Sequence, residues 1–104
     1  MIELPVQRDE SGAWTHPAFD EFCGGREYIP KEEFNEGIES LGLEWDCDLL
    51  ECSESHEATN EYMLDATFVI WQPTKPSGDG WFIASIHDTE DGPVCIWLRK
   101  KEMV

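Results

Sequence analysis

Cys47, Cys52 and His56 stand in the spacing C-x4-C-x3-H, and Cys23, His16, His87 or Cys95 offers a fourth donor, so the first chemistry to weigh is a tetrahedral zinc site. The spacing lacks the tight C-x-x-C knuckle of recognisable zinc modules. If residues 43 to 50 form a strand, Cys47 points into the core and Cys52 lies beyond the strand end, and the two read as unrelated thiols. No metal and no other cofactor is therefore expected. His87-Asp88, with Cys95 on a returning strand, offers a thiol and imidazole pair for nucleophilic catalysis. No glycine-rich nucleophile turn or oxyanion-hole signal accompanies it, so no catalytic residue is assigned and no enzyme is expected. Gly78-Asp79-Gly80 lacks the Gly-Lys-Ser or Gly-Lys-Thr of a phosphate loop. Five Trp could stack nucleobases only with basic residues between them, so they are expected in the core and hairpin, Trp81 and Trp97 facing each other across strands.

The charge is the strongest signal. Against 23 Asp and Glu stand 7 Lys and Arg in 104 residues, a formal charge of −16. Close carboxylate pairs are inevitable at that density and carry no hydrolytic meaning. Direct contact with nucleic acid, or with an anionic membrane through a basic patch, requires the opposite balance. From Glu32 to Asp65 there are twelve acids and no Lys or Arg. Such a surface either keeps the chain soluble or occupies a basic groove on another protein, carboxylates at several-ångström spacing standing in for phosphates. The residues expected to carry the contact are Glu32, Glu33, Glu36, Glu39, Glu44, Asp46 and Asp48. No apolar run reaches the length of a membrane span, and the N-terminus lacks the basic then apolar pattern of a signal peptide, so a cytoplasmic protein with reduced thiols is expected.

These residues need elements to hold them. Residues 1 to 15 carry Pro5 and the turn cluster Asp9-Glu10-Ser11-Gly12 and read as an extended arm or edge strand. A short helix follows, with Thr15 or His16 before Pro17 and a stop at Gly24-Gly25. Pro30 and Gly42 bracket a second helix over 30–41 in which Phe34, Ile38 and Leu41 share a face and the glutamates line the other. The period then falls to two: Leu43, Trp45, Cys47 and Leu49 alternate with Glu44, Asp46 and Asp48, the pattern of a strand with one buried and one wet acidic face. Residues 51 to 61 show no period and read as a loop or a frayed helical turn. The run from Tyr62 to Trp71 reads as a strand, and residues 81 to 98 as a hairpin around Asp88-Thr89-Glu90-Asp91-Gly92-Pro93. The whole predicts one α+β domain over 1–104: an arm over 1–15, a helical part over 16–42, and a mostly β part over 43–98. Its antiparallel sheet of three to five strands carries one or two helices on one face.

The segment Trp71-Gln72-Pro73-Thr74-Lys75-Pro76-Ser77-Gly78-Asp79-Gly80-Trp81-Phe82, continuing through Ser85-Ile86-His87-Asp88-Thr89-Glu90-Asp91-Gly92-Pro93-Val94-Cys95-Ile96-Trp97, resembles the C-terminal module of small early-region proteins of lambdoid enterobacterial phages and prophages. It covers 27 of 104 residues, and Ala13-Trp14-Thr15-His16-Pro17-Ala18-Phe19-Asp20-Glu21 is similar to the same group. That family brings no assigned activity or catalytic residues. The resemblance implies an accessory phage protein made in a bacterial cytoplasm and dispensable for building particles. Joined to the charge, it leads to an expected DNA-mimic-like inhibitor of a host DNA-handling or defence protein, which acts by binding a basic protein surface. Trp81, His87, Asp88, Glu90 and Asp91 around the hairpin are the second choice of contact. A small Cys/His enzyme, a metal-stabilised module and a solubilised domain of other role are the alternatives.

Overall fold

His16 and Pro17 start the first helix: the His16 ring Nδ1 accepts the Ala18 N–H at 3.0 Å, and Pro17 brings its fixed φ to the first helical position. This helix, α1 (Pro17–Cys23), ends at Gly24 in a left-handed cap whose N–H reaches Asp20 O and Glu21 O. The second helix, α2 (Lys31–Ser40), begins behind Pro30 and stops where Gly42 takes φ +74. Both positions follow the breakers in the sequence. The computed structural model describes residues 2–24, 29–50, 56–90 and 92–101.

Four strands form one antiparallel sheet: β1 (Trp14–Thr15), β2 (Leu43–Leu49), β3 (Phe82–Thr89) and β4 (Gly92–Lys100), in the order β1-β3-β4-β2. β3 and β4 are the expected hairpin, with Phe82 opposite Leu98 and Ile86 opposite Cys95. The fold is α+β, with two helices on one face of the sheet. On that face Leu98, Phe82, Ala84 and Leu43 pack against Phe19 of α1 and Ile38 of α2, flanked by Phe22, Phe34, Trp45 and Ile96. The other face is buried as well. Cys95, Trp97 and Ile86 pack there against Ala58, Phe68, Trp71 and Trp81. Trp97 lies opposite Ile83 in the ladder, so Trp81 and Trp97 share this cluster without being direct cross-strand partners.

Two readings of the middle of the chain are corrected. A third helix, α3 (His56–Asp65), occupies the stretch expected to be a loop or a frayed helical turn and the start of a strand, and it runs on as a full helix. It shows no apolar period because only Ala58 is buried, while Met63 and Leu64 project into solvent. The run from Tyr62 to Trp71 is not a strand. Ala66, with φ +58, ends α3, and the chain then runs irregularly with Phe68 and Trp71 buried and Val69 and Ile70 exposed. β-propensity loses here because the backbone groups find side-chain partners in place of a neighbouring strand. Arg8 donates from Nε to Gly12 O at 2.8 Å, from Nη1 to Trp71 O at 2.5 Å, and from Nη2 to Phe68 O. The Glu61 carboxylate accepts the Val69 and Ile70 N–H groups at 3.0 and 2.9 Å and the Thr67 hydroxyl. Ser11 O takes the Phe68 N–H.

This arrangement has a pH signature. Partial burial pushes the Glu61 carboxyl up, but the hydrogen bonds from Thr67, Ile70 and Val69, with Arg8 nearby, outweigh it and hold the group below its ordinary value. A lowered folded-state value contributes stability that is present above the unfolded value, about 4.3, and lost as pH falls through the folded one. Glu61→Gln is therefore expected to lower the melting temperature at pH 7, with a deficit that narrows as pH falls below about 4.3 toward 3. Thermal unfolding of parent and variant at the two pH values checks this, and the comparison cancels the general relief of repulsion as the other acids protonate. A deficit that persists unchanged at pH 3 would contradict it.

Candidate protein-binding surface

Glu32, Glu33, Glu36 and Glu39 are all exposed, on the side of α2 opposite Phe34 and Ile38. Lys101 Nζ lies 3.7 Å from Glu39, with both side chains more than half exposed. Such a pair contributes little and leaves the row strongly negative.

The strand acids stand elsewhere. In an antiparallel ladder, residues directly opposite each other project to the same face, and the register sets Glu44 against Arg99, Asp46 against Trp97 and Asp48 against Cys95. Glu44, Asp46 and Asp48 thus project to the face of Trp97 and Cys95, whereas α2 covers the face of Leu98 and Ile96. The seven acids expected to form one face form two rows on opposite sides of the sheet. They come together only around the β2 edge, where Glu39 and Glu44 line one shallow cleft. The strand row is also less free than its alternation implies. Glu44 accepts from Arg99 Nε, and Asp48 accepts the Thr74 N–H at 2.8 Å. Asp46 is exposed, with one oxygen on the Cys47 N–H at 2.8 Å.

Cys47 is exposed, contrary to the expected core position, because the apolar side of β2 runs past α2 at that point: Leu43 is buried and Trp45 half-buried, Cys47 is not. Trp45 is held by α2 through its Nε1–H to Asn35 Oδ1 at 2.6 Å.

Two of the cations are consumed inside the fold. Arg8 holds three backbone carbonyls, and Arg99 lies between Glu44 and the face of Trp81, 4.5 Å from the ring centroid. Sequence reasoning missed both. The available signal was scarcity, 7 Lys and Arg against 23 Asp and Glu.

At the hairpin, Trp81 is buried and donates from Nε1 to Ser77 O at 3.0 Å. Asp88 accepts the Tyr62 hydroxyl at 2.8 Å, which raises the tyrosine above its ordinary value. Glu90 is exposed, and Asp91 lies outside the described residues. His87 pairs across the hairpin with Val94, and Ile86 with Cys95, so the His87 and Cys95 side chains leave on opposite faces and the thiol–imidazole pair is not assembled. Burial first, and Asp48 second, push the Cys95 thiol far above its ordinary value, the reverse of an activated nucleophile. His87 meets Ser85 instead, Nδ1 to Oγ at 2.8 Å, with Ser85 in turn 3.2 Å from the Thr15 hydroxyl. Burial lowers the His87 value. Ser85 is 2% exposed at an irregularity in the β3–β4 register, where a substrate carbonyl has no access, so the pair ties β1 to the hairpin. Cys52, one of the sequence-level metal donors, is outside the described residues. Among the described residues no three His, Cys, Asp or Glu side chains gather in a metal-holding group, and no helix is long and apolar enough to cross a membrane.

Protein-family models, curated proteins and solved structures yielded no match to this chain.

Proposed function

We propose that the protein acts by binding another protein that carries a basic surface, of the kind with which DNA-handling proteins hold phosphates, and that binding without catalysis is its activity. The observation that carries this reading is the exposed row of four glutamates on α2 in a chain that keeps Arg8 and Arg99 inside its own fold. Rigid carboxylates at such spacing lie within a Debye length of one another, so they raise a joint field at the cost of mutual repulsion. A basic groove relieves that repulsion on contact, and attraction over distance accelerates the encounter. The resemblance of residues 71–97 to phage early-region proteins supports a bacterial cytoplasm as the setting and a host or phage DNA-handling or defence protein as the partner.

The test is capture from bacterial lysate with the tagged protein and with a variant carrying Glu32→Gln, Glu33→Gln, Glu36→Gln and Glu39→Gln, washed at two salt concentrations. The substitutions leave Phe34 and Ile38 in place, so the circular dichroism spectrum should be retained. Recovery of the captured protein by the variant should fall about tenfold, the sum of four modest charge contacts. Equal recovery by both forms at both salts would reduce the acidic surface to a solubilising one.

A further inference from the structure

β2 closes one side of the sheet, and among the described residues no strand pairs with its outer edge. Two hydrogen bonds fix which of its backbone groups face outward. Lys101 N–H donates to Gly42 O, on the β4 side, while the Cys47 N–H turns away from β4 to the Asp46 carboxylate. Groups facing the two neighbours of an antiparallel strand alternate, so Leu43, Trp45, Cys47 and Leu49 direct their N–H and C=O groups to the side away from β4. Side chains alternate with the same period. Glu44, Asp46 and Asp48 flank the edge on one side, and Trp45 flanks it on the other, beside an apolar cleft of about 280 Å³ lined by Ile29, Lys31, Phe34, Trp45 and Ile96.

We infer that the β2 edge accepts an extended segment of a partner protein as a fifth strand, its side chains alternating between basic residues over Glu44, Asp46 and Asp48 and apolar residues toward Trp45 and the cleft. The inference rests on the basic-partner reading above and adds to the α2 row a second contact of stated conformation, at the β2 edge. Strand addition takes its affinity from main-chain hydrogen bonds and its selectivity from alternate side chains, and this edge offers both. Alternate residues of both strands recur about every 7 Å, so the cations keep step with the carboxylates, meeting Asp46 directly and Glu44 and Asp48 beside their bonds to Arg99 and to the Thr74 N–H. A second copy of this chain is a poor occupant, because pairing β2 with itself sets acids against acids. Asp46 guards the edge in the free protein by taking the Cys47 N–H. Giving up that bond frees its carboxylate for the incoming cation, so a basic strand is admitted and others are discouraged.

Three synthetic octapeptides test this: alternating Lys and Val, the same composition in two blocks, and the alternating peptide N-methylated at every second residue so that its N–H groups toward β2 are removed. Calorimetric titration should show the alternating peptide binding at least about tenfold more tightly than the other two. Amide exchange at Trp45, Cys47 and Leu49 should slow in its presence alone. Cys47→Pro, which removes an outward N–H and spares the β4 ladder, should bring the alternating peptide down to the level of the block peptide. Should that variant unfold, the N-methylated peptide still decides. Equal binding of all three without protection of the β2 amides would overturn strand addition and leave a basic-surface partner standing. Absence of binding by any would also overturn it, and the α2 glutamine variant then decides the broader reading independently. Protection of the β2 amides that grows with protein concentration and a dimeric mass, without peptide, would name a second copy as the occupant and overturn the inference too.

Discussion

Gly12→Ala is expected to cost about 3 kcal/mol or more, a fall of roughly 10–20 °C in melting temperature for a domain of this size. Gly12 adopts φ +101, where an L side chain is strained, and a Cβ built there would lie 2.7 Å from Phe68 C and 2.8 Å from Phe68 O and Val69 N. Those are backbone atoms, so no rotamer change relieves the overlap and the two segments must separate. Separation would also disturb the Phe68 N–H to Ser11 O bond and the Arg8 contact with Gly12 O. Gly42→Ala is the control: φ is +74 but nothing lies within 4 Å of the added carbon, so only the left-handed cost of about 1–2 kcal/mol applies. Chemical denaturation of both variants makes the comparison. Equal losses would mean that the close approach of residue 12 to Phe68 is not a stabilising contact.

Arg8→Met should cost about 2–4 kcal/mol while retaining most of the aliphatic stem. The guanidinium is the donor for Trp71 O and Phe68 O, and both residues are buried, so the carbonyls would lose their partners where water replaces them poorly. Burial lowers the Arg8 value from that of a free guanidinium, but the group remains a cation throughout the accessible pH range. Arg8→Lys should restore only part of the loss, because one ammonium cannot reproduce a planar fork that serves three carbonyls. Amide exchange should accelerate at Phe68 and Trp71 before it does along β3 and β4, since the clasp holds the irregular segment and the hairpin ladder is independent of it. Stability of Arg8→Met within about 0.5 kcal/mol of the parent would contradict this account.

These two residues also mark where the sequence was legible and where it was not. α1, α2 and the β3–β4 hairpin announce themselves because their signals are local: Pro17 and Pro30 at helix starts, Gly24 and Gly42 at helix ends, and two β-branched and aromatic runs around a turn. The 66–71 segment misleads because its backbone is satisfied by Arg8 and Glu61, and Arg8 stands 63 residues before Trp71. No local pattern encodes that. α3 hides for another reason: a helix that buries little more than Ala58 and part of Tyr62 leaves no amphipathic trace. The acidic candidates were legible as residues and misread as a surface. Alternation in β2 correctly separates the acids from the apolar side chains, but only the pairing with β4 reveals that the acidic side of β2 lies across the sheet from α2.

The central claim is that long-range attraction to a basic surface brings the partner in, and the salt dependence of the association rate reads it most directly. With the captured partner immobilised, association and dissociation rates of the parent and the α2 glutamine variant are measured from about 0.01 M to 0.15 M salt, over which the Debye length shrinks from about 30 Å to about 8 Å. The account predicts that the parent's association rate falls by about tenfold or more while its dissociation rate changes little, and that the variant starts slower and falls less. An association rate that is flat across this range, and equal for parent and variant, would contradict it.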